Sequence, residues 1–206
     1  MALGLFMTVW RKGGMMNQIA ENSKQMFKLV KHSIESGLNQ SNAMIDIEKI
    51  ATQTPFDEKL ATFVTLHLHG ELRGCIGSLQ AYQSLAEDLY ANAYSAAFRD
   101  PRFKPLAEKE LQHIEVEISV LTAPEPIEGC SSKDALLEKL TPYKDGLIIS
   151  DGTYRATFLP SVWEQLPDKG MFVEQLLRKA GIRGWSNRID CQRYFVESYQ
   201  SNWLDI

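Results

Sequence analysis

Two glycines bracket a cysteine in the run Leu72-Arg73-Gly74-Cys75-Ile76-Gly77-Ser78-Leu79. As a thiolate, Cys75 would serve as a nucleophile or redox group, and a nearby guanidinium raises the thiolate fraction. Arg73 stands two residues away, which in a regular strand puts it on the face that carries Cys75. Glycine inside a strand costs stability and marks a bulge or a close backbone approach. Gly74 and Gly77 therefore predict a bulged loop that presents Cys75 to a ligand and exposes backbone N–H donors. The competing reading makes Cys75 a small buried hydrophobe whose glycines only allow tight packing. A ligand-facing role for the whole loop ranks ahead of catalysis by Cys75.

Other residues could join it. In Phe98-Arg99-Asp100-Pro101-Arg102-Phe103, Arg102 has the planar fork that grips a carboxylate or phosphate. Asp100 could neutralise it, fix Arg73, or simply order the turn. Glu117 shares a strand face with Ser119 and would be a general base if a cleft raised its pKa; a solvated sheet face is the plainer reading. Arg155 and Thr157 share a face of a later hairpin and could line the same cleft. His67, His69 and Glu71 alternate as metal ligands on a strand can, but a loop glycine intervenes and no fourth ligand follows, so no metal site is assigned. No Cys–His pair is placed by spacing, which leaves the usual base of a thiol enzyme unassigned.

The elements that must carry these residues follow from periodicity. Ile19, Met26, Leu29, Val30 and Ile34 recur at helical spacing over 18–38. Residues 63–69 alternate, Gly70 permits a turn, and 71–79 continues extended, which reads as a hairpin. Ser84-Leu85-Ala86-Glu87 is a capping box for a helix to Phe98, ended by Asp100-Pro101. Residues 114–121 form the cleanest alternating strand. Ser131 or Ser132 caps a helix to Leu140. Asp151-Gly152 predicts a type I′ hairpin between 147–150 and 153–159. Short helices follow over 161–166 and 171–180, the latter closed by Gly181. A single extended segment covers 190–199. Helices and strands mix without regular βαβ alternation, which predicts an α+β fold with a mixed or antiparallel sheet and flanking helices.

The 206 residues suit one domain or two small lobes. A net charge of −4 with scattered Lys and Arg argues against a nucleic-acid surface, while leaving room for a local pocket that takes a small anion. Three cysteines without regular spacing are a poor disulfide framework, so reduced thiols and a cytoplasmic setting are expected. The apolar Met1–Trp10 precedes its basic residues, the reverse of a signal peptide, and is too short to span a bilayer. Residues 1–16 are expected to be an unstructured extension, with Met15 or Met16 as the natural start, ahead of a single domain over 17–206.

The run LRGCIGSL resembles the signature of the AMMECR domain family (the AMME chromosomal region candidate proteins, including the bacterial AmmeMemoRadiSam system protein A type). Phe63-Val64-Thr65-Leu66 ahead of it fits the same family. So do Asp100-Pro101-Arg102-Phe103, Glu117–Leu121 with Pro124–Ile127, Phe158–Trp163 and Arg178–Gly181. The resemblance implies an α+β fold with a larger and a smaller lobe around a cleft. It also implies an intracellular protein associated with Memo-like and radical SAM proteins. Arg73, Gly74, Cys75, Asp100 and Arg102 carry over as motif residues, without an established reaction or cofactor. Two functional readings stand. In one, the chain is a ligand-binding or accessory module. In the other, it is an enzyme using Cys75 on an anionic small molecule.

Overall fold

The structure, a computed structural model, describes residues 14–39 and 47–206. The expected N-terminal extension lies outside the described residues except for 14–16. These open a helix, α1 (14–21), and Met15 and Met16 pack against the core. The helical pattern read over 18–38 is divided at Asn22, where α1 ends and α2 (Ser23–Asn39) begins. The chain forms two units, one ending at Val120 and resuming over Ser198–Ile206, the other spanning Leu121–Glu197.

The first unit builds on a sheet of order β2-β1-β3-β8, with β1 Ala61–Leu68, β2 Glu71–Gly77, β3 Ile114–Leu121 and β8 Val196–Asn202. The short helix α3 (Ile47–Ile50) precedes β1 and α4 (Leu85–Phe98) follows β2. Val64 and Leu66 of β1 and Val116 and Ile118 of β3 are buried with Met26, Leu29, Val30 and Ile34 of α2 and Leu85, Leu89, Ala93 and Ala96 of α4. The capping box of α4 is complete. Ser84 Oγ accepts the Glu87 N–H at 3.3 Å, and the Glu87 carboxylate accepts the Ser84 N–H at 3.0 Å. Such a cap is worth about 1 kcal/mol.

Both hairpins differ in detail from expectation. The β1–β2 turn is His69-Gly70, with φ of 55° and 81°, the two positive angles of a I′ turn. The turn between β5 (Gly146–Asp151) and β6 (Tyr154–Phe158) is Gly152-Thr153, because Asp151 still pairs with Tyr154. Only Gly152 has positive φ there, at 61°, the II′ pattern rather than I′.

The second unit holds a sheet of order β4-β7-β5-β6, where β4 is Glu125–Pro126 and β7 is Asp190–Tyr194. The pairings β1·β2, β4·β7, β5·β6 and β5·β7 are all antiparallel. Helix α5 (Lys133–Lys139) is capped by Ser132, whose Oγ accepts the Ala135 N–H at 3.1 Å. Helix α6 (Lys169–Ala180) buries Phe172, Val173, Leu176 and Leu177 against the sheet core. Trp163, in a 3-10 turn, stacks flat on Phe172 at 3.6 Å between ring centroids. Gly181, at φ 78°, closes α6 as expected, with the Ile182 N–H returning to Leu177 O at 3.0 Å. The segment read as continuous over 190–199 is broken at Phe195, so β7 and β8 join different sheets. The fold is α+β. Among the described residues, no helix is long and apolar enough to cross a membrane.

Candidate functional site

The register of β1 on β2 decides where the motif points. Thr65 pairs with Cys75 and Leu66 with Gly74, but His67 pairs with Leu72. Arg73 is the extra residue of a β-bulge, so the strict alternation that would align it with Cys75 fails there. The bulge therefore corrects the shared-face expectation for the two. Gly74 is buried, and a Cβ on it would lie 2.2 Å from the Ala96 carbonyl oxygen of α4. A Cβ on Gly77 would lie 2.2 Å from the Phe63 ring and 2.5 Å from Thr62 O. Close approach accounts for both glycines.

Cys75 is half-buried. Its sulfur accepts a hydrogen bond from Thr65 Oγ1 at 3.2 Å. Its backbone is held on both sides: the N–H donates to Asp100 Oδ2 at 2.9 Å, and the carbonyl accepts from Arg102 Nη2 at 3.1 Å. Asp100 is buried and also takes Arg102 Nη2 at 2.7 Å, Nε at 2.9 Å and the Arg102 N–H at 3.1 Å. The Arg102 guanidinium and the two backbone N–H groups hold the Asp100 carboxyl well below the usual carboxylate range, against the opposing effect of burial. Arg102 is itself 53% exposed and held further toward its charged form by Asp100.

Arg73 is committed elsewhere. Its Nε and Nη2 meet the Glu110 carboxylate at 2.8 and 3.2 Å, and only 12% of its side chain is exposed. The pair lowers the pKa of Glu110. Nη1 of Arg73 is buried without a hydrogen-bond partner. Arg73 and Arg102 both stand over the ring of Phe103, at 5.9 and 5.5 Å from its centroid.

The sheet face that carries Cys75 is polar across its strands. His67 Nε2 lies 3.7 Å from the Glu117 carboxylate, which also accepts Gln200 Nε2 at 3.3 Å and Ser119 Oγ at 3.4 Å. Ser119 in turn meets Ser198 at 2.8 Å. Thr65, His67, Glu117 and Ser119 are half-buried rather than freely solvated. The structure thus brings Glu117 and the Cys75 thiol onto one face, with His67 between them on β1. His69 leaves that pattern at the turn, where its ring packs on His113 at 4.9 Å, and Glu71 is exposed. Among the described residues, no three His, Cys, Asp or Glu side chains cluster as metal ligands would.

Asp88 is a buried residue that spacing left unremarked. It accepts five donors: Thr62 N–H at 2.8 Å, Thr62 Oγ1 at 2.7 Å, Ser78 Oγ at 2.8 Å, Gln83 Nε2 at 3.0 Å and Asn92 Nδ2 at 2.9 Å. It fixes the end of the LRGCIGS run to β1 and α4. The only hint in sequence is an Asp and an Asn four apart on one face of α4.

Arg155 belongs to the second unit. It is exposed on β6 and lines a cavity of about 400 Å³ with Ser150, Glu128, Cys130, Asp190 and Cys191. Thr157 shares that face of β6, in an unbroken register with β5, and its hydroxyl lies 3.0 Å from both Leu147 O and the Tyr194 hydroxyl.

Comparison with known proteins places this geometry. A protein of Thermotoga maritima is 35% identical over 164 residues, covering 76% of this chain and 87% of its own. A protein of Methanococcus aeolicus is 36% identical over 165 residues, covering 79% and 80%. The crystal structure of an uncharacterised protein from Pyrococcus horikoshii matches with a TM-score of 0.68 at 30% identity, over 85% of this chain and 89% of that one. Residues 27–199, which contain the Cys75 run, the Asp100–Arg102 turn and the polar sheet face, match the AMMECR1 family. The chain belongs to the AMMECR1 family.

Proposed function

We propose that this protein is a cytoplasmic ligand-binding accessory module, and that it takes a small ligand on the polar face of its first sheet around Cys75. One observation carries the reading. Half-buried polar side chains are linked along that face, Thr65 to Cys75 and His67 to Glu117, with the exposed Gln200 bonded to Glu117 beside them. Polar groups withdrawn from bulk water and aimed to one side are what a binding surface requires. Anchoring of the Cys75 backbone by Asp100 and Arg102 pre-organises the surface, which limits the ordering needed on binding. The exposed part of Arg102 is the available cation for an anionic ligand. Memo-like and radical SAM proteins are the partners expected from the family resemblance.

A second reading, a thiol enzyme, is favoured by the shared face of Cys75, His67 and Glu117. Untargeted metabolite capture by the full chain, beside Cys75→Ser and Glu117→Gln, separates the two. The module reading expects a metabolite retained by the parent and lost from both variants, with no turnover. Equal capture by all three would remove the face as the site. Turnover of the captured compound, abolished by Cys75→Ser, would replace the module with the enzyme.

A further inference from the structure

The second unit brings together two cysteines that lie far apart in sequence, and neither takes part in the surface around Cys75. Cys191 sits on β7, between β4 and β5, with Ile149 as its partner on β5. Its carbonyl accepts the Ile127 N–H at 2.8 Å. From Ile127 the chain turns through Gly129, whose φ is 71°, and Lys139 Nζ holds the Glu128 carbonyl. Cys130 follows directly. The result is that Cys130 packs against the buried cluster that holds Cys191. Both line the same cavity of about 400 Å³, with Cys130 half-buried and Cys191 only 5% exposed.

We propose that Cys130 and Cys191 form a redox-active thiol pair that hydrogen peroxide, entering through this cavity, converts to an intramolecular disulfide. The inference is independent of the ligand-binding surface on the first sheet. The Cys130 thiolate attacks one peroxide oxygen, the O–O bond breaks, and hydroxide leaves and takes up the proton lost by the thiol. Cys130 is then a sulfenic acid. Cys191 sulfur attacks the Cys130 sulfur, the S–O bond breaks, and the Cys191 proton leaves with the hydroxyl as water. Two thiols are oxidised by two electrons, and one peroxide is reduced to two waters.

The surroundings set the order and the pace. Burial raises both thiols, and Cys191, with the Cys130 sulfur and Asp190 beside it, is pushed up to about 12. Lys139 and Arg193 pull Cys130 down against burial and Glu128. Arg155 also lines the cavity. Cys130, the more open thiol, therefore reacts first, slowly at neutral pH and faster under alkaline conditions. With both thiols on the wall of one cavity the second step is intramolecular, which favours the disulfide over further oxidation of Cys130.

The test treats the full chain with hydrogen peroxide at mildly alkaline pH, then alkylates under denaturing, non-reducing conditions and maps the peptides by mass. The expected product lacks two hydrogens at a Cys130–Cys191 link, reverts with dithiothreitol, and melts at a higher temperature than the reduced chain. Cys130→Ser, at the half-buried position, should abolish the link, and Cys191→Ala should leave Cys130 as an oxyacid. Recovery of Cys130 and Cys191 both alkylated after peroxide would overturn the proposal. So would oxidation that stops at Cys130 in the unsubstituted chain.

Discussion

The Asp100 carboxylate accepts the backbone N–H of Cys75 at 2.9 Å while its other bonds hold Arg102, which returns a guanidinium bond to the Cys75 carbonyl. One peptide unit on either side of the thiol is thereby clamped by a turn that lies after the next helix. The position of Cys75 depends on a buried carboxylate staying ionised.

Acid should loosen this clamp. The folded Asp100 carboxyl titrates below its unfolded value of about 3.9. The folded form therefore keeps its charge as the unfolded chain takes up a proton. The resulting stabilisation is complete above about pH 5 and is lost progressively as pH falls through the folded value. Glu110, lowered by Arg73, and Glu87, lowered by Ser84, add in the same direction. Asp100→Asn should weaken the fold by about 2–3 kcal/mol near neutrality and shrink the acid limb. Urea midpoints measured from pH 7 downward check both. An acid limb of unchanged size in the variant would contradict the assignment.

Gly74→Ala should destabilise the first unit by about 3 kcal/mol, the upper part of the range for overpacking. The new methyl meets a helix carbonyl at 2.2 Å, and backbone of α4 cannot yield as a side-chain tip does. A urea midpoint equal to the parent's would show that α4 moves freely against β2.

Glu110→Ala should cost about 3 kcal/mol, because it strands the Arg73 guanidinium with 12% of its side chain exposed. Arg73→Leu combined with Glu110→Leu should recover most of that loss, since the desolvation of both ions is removed together. Chemical denaturation of Arg73→Leu, Glu110→Leu and their combination, beside Glu110→Ala, measures the coupling.

Asp88→Asn places an amide among five donors, so at least one meets another donor in a site without water access. A loss of about 3 kcal/mol or more is expected. Amide hydrogen exchange should show the Thr62 and Ser78 N–H groups opening first. Uniform exchange across the unit would argue that the network carries no local role.

Much of the local architecture was legible because it repeats at short range. The alternation of Ile114–Leu121, the Ser84–Glu87 box and the Gly181 cap each lie within a few residues, where backbone geometry alone selects the structure. The LRGCIGSL run and its companion motifs likewise pointed to the family. The bulge at Arg73 was not legible, since it exists only in the pairing of β2 with β1. The break at Phe195 was hidden too, because alternating residues run through it and only the choice of partner strand divides β7 from β8.

The sequence by itself determined the α+β class, the capped helices, the glycine-flanked thiol and the family. Tertiary structure alone decided that Arg73 answers to Glu110, that Asp100 holds Cys75, that His67 and Glu117 share the thiol's face, and that Cys130 and Cys191 line one cavity. Helical and strand patterns reflect backbone geometry over neighbouring residues. A side chain's electrostatic partner depends on which distant elements are packed beside it, and that is settled only when the cores close.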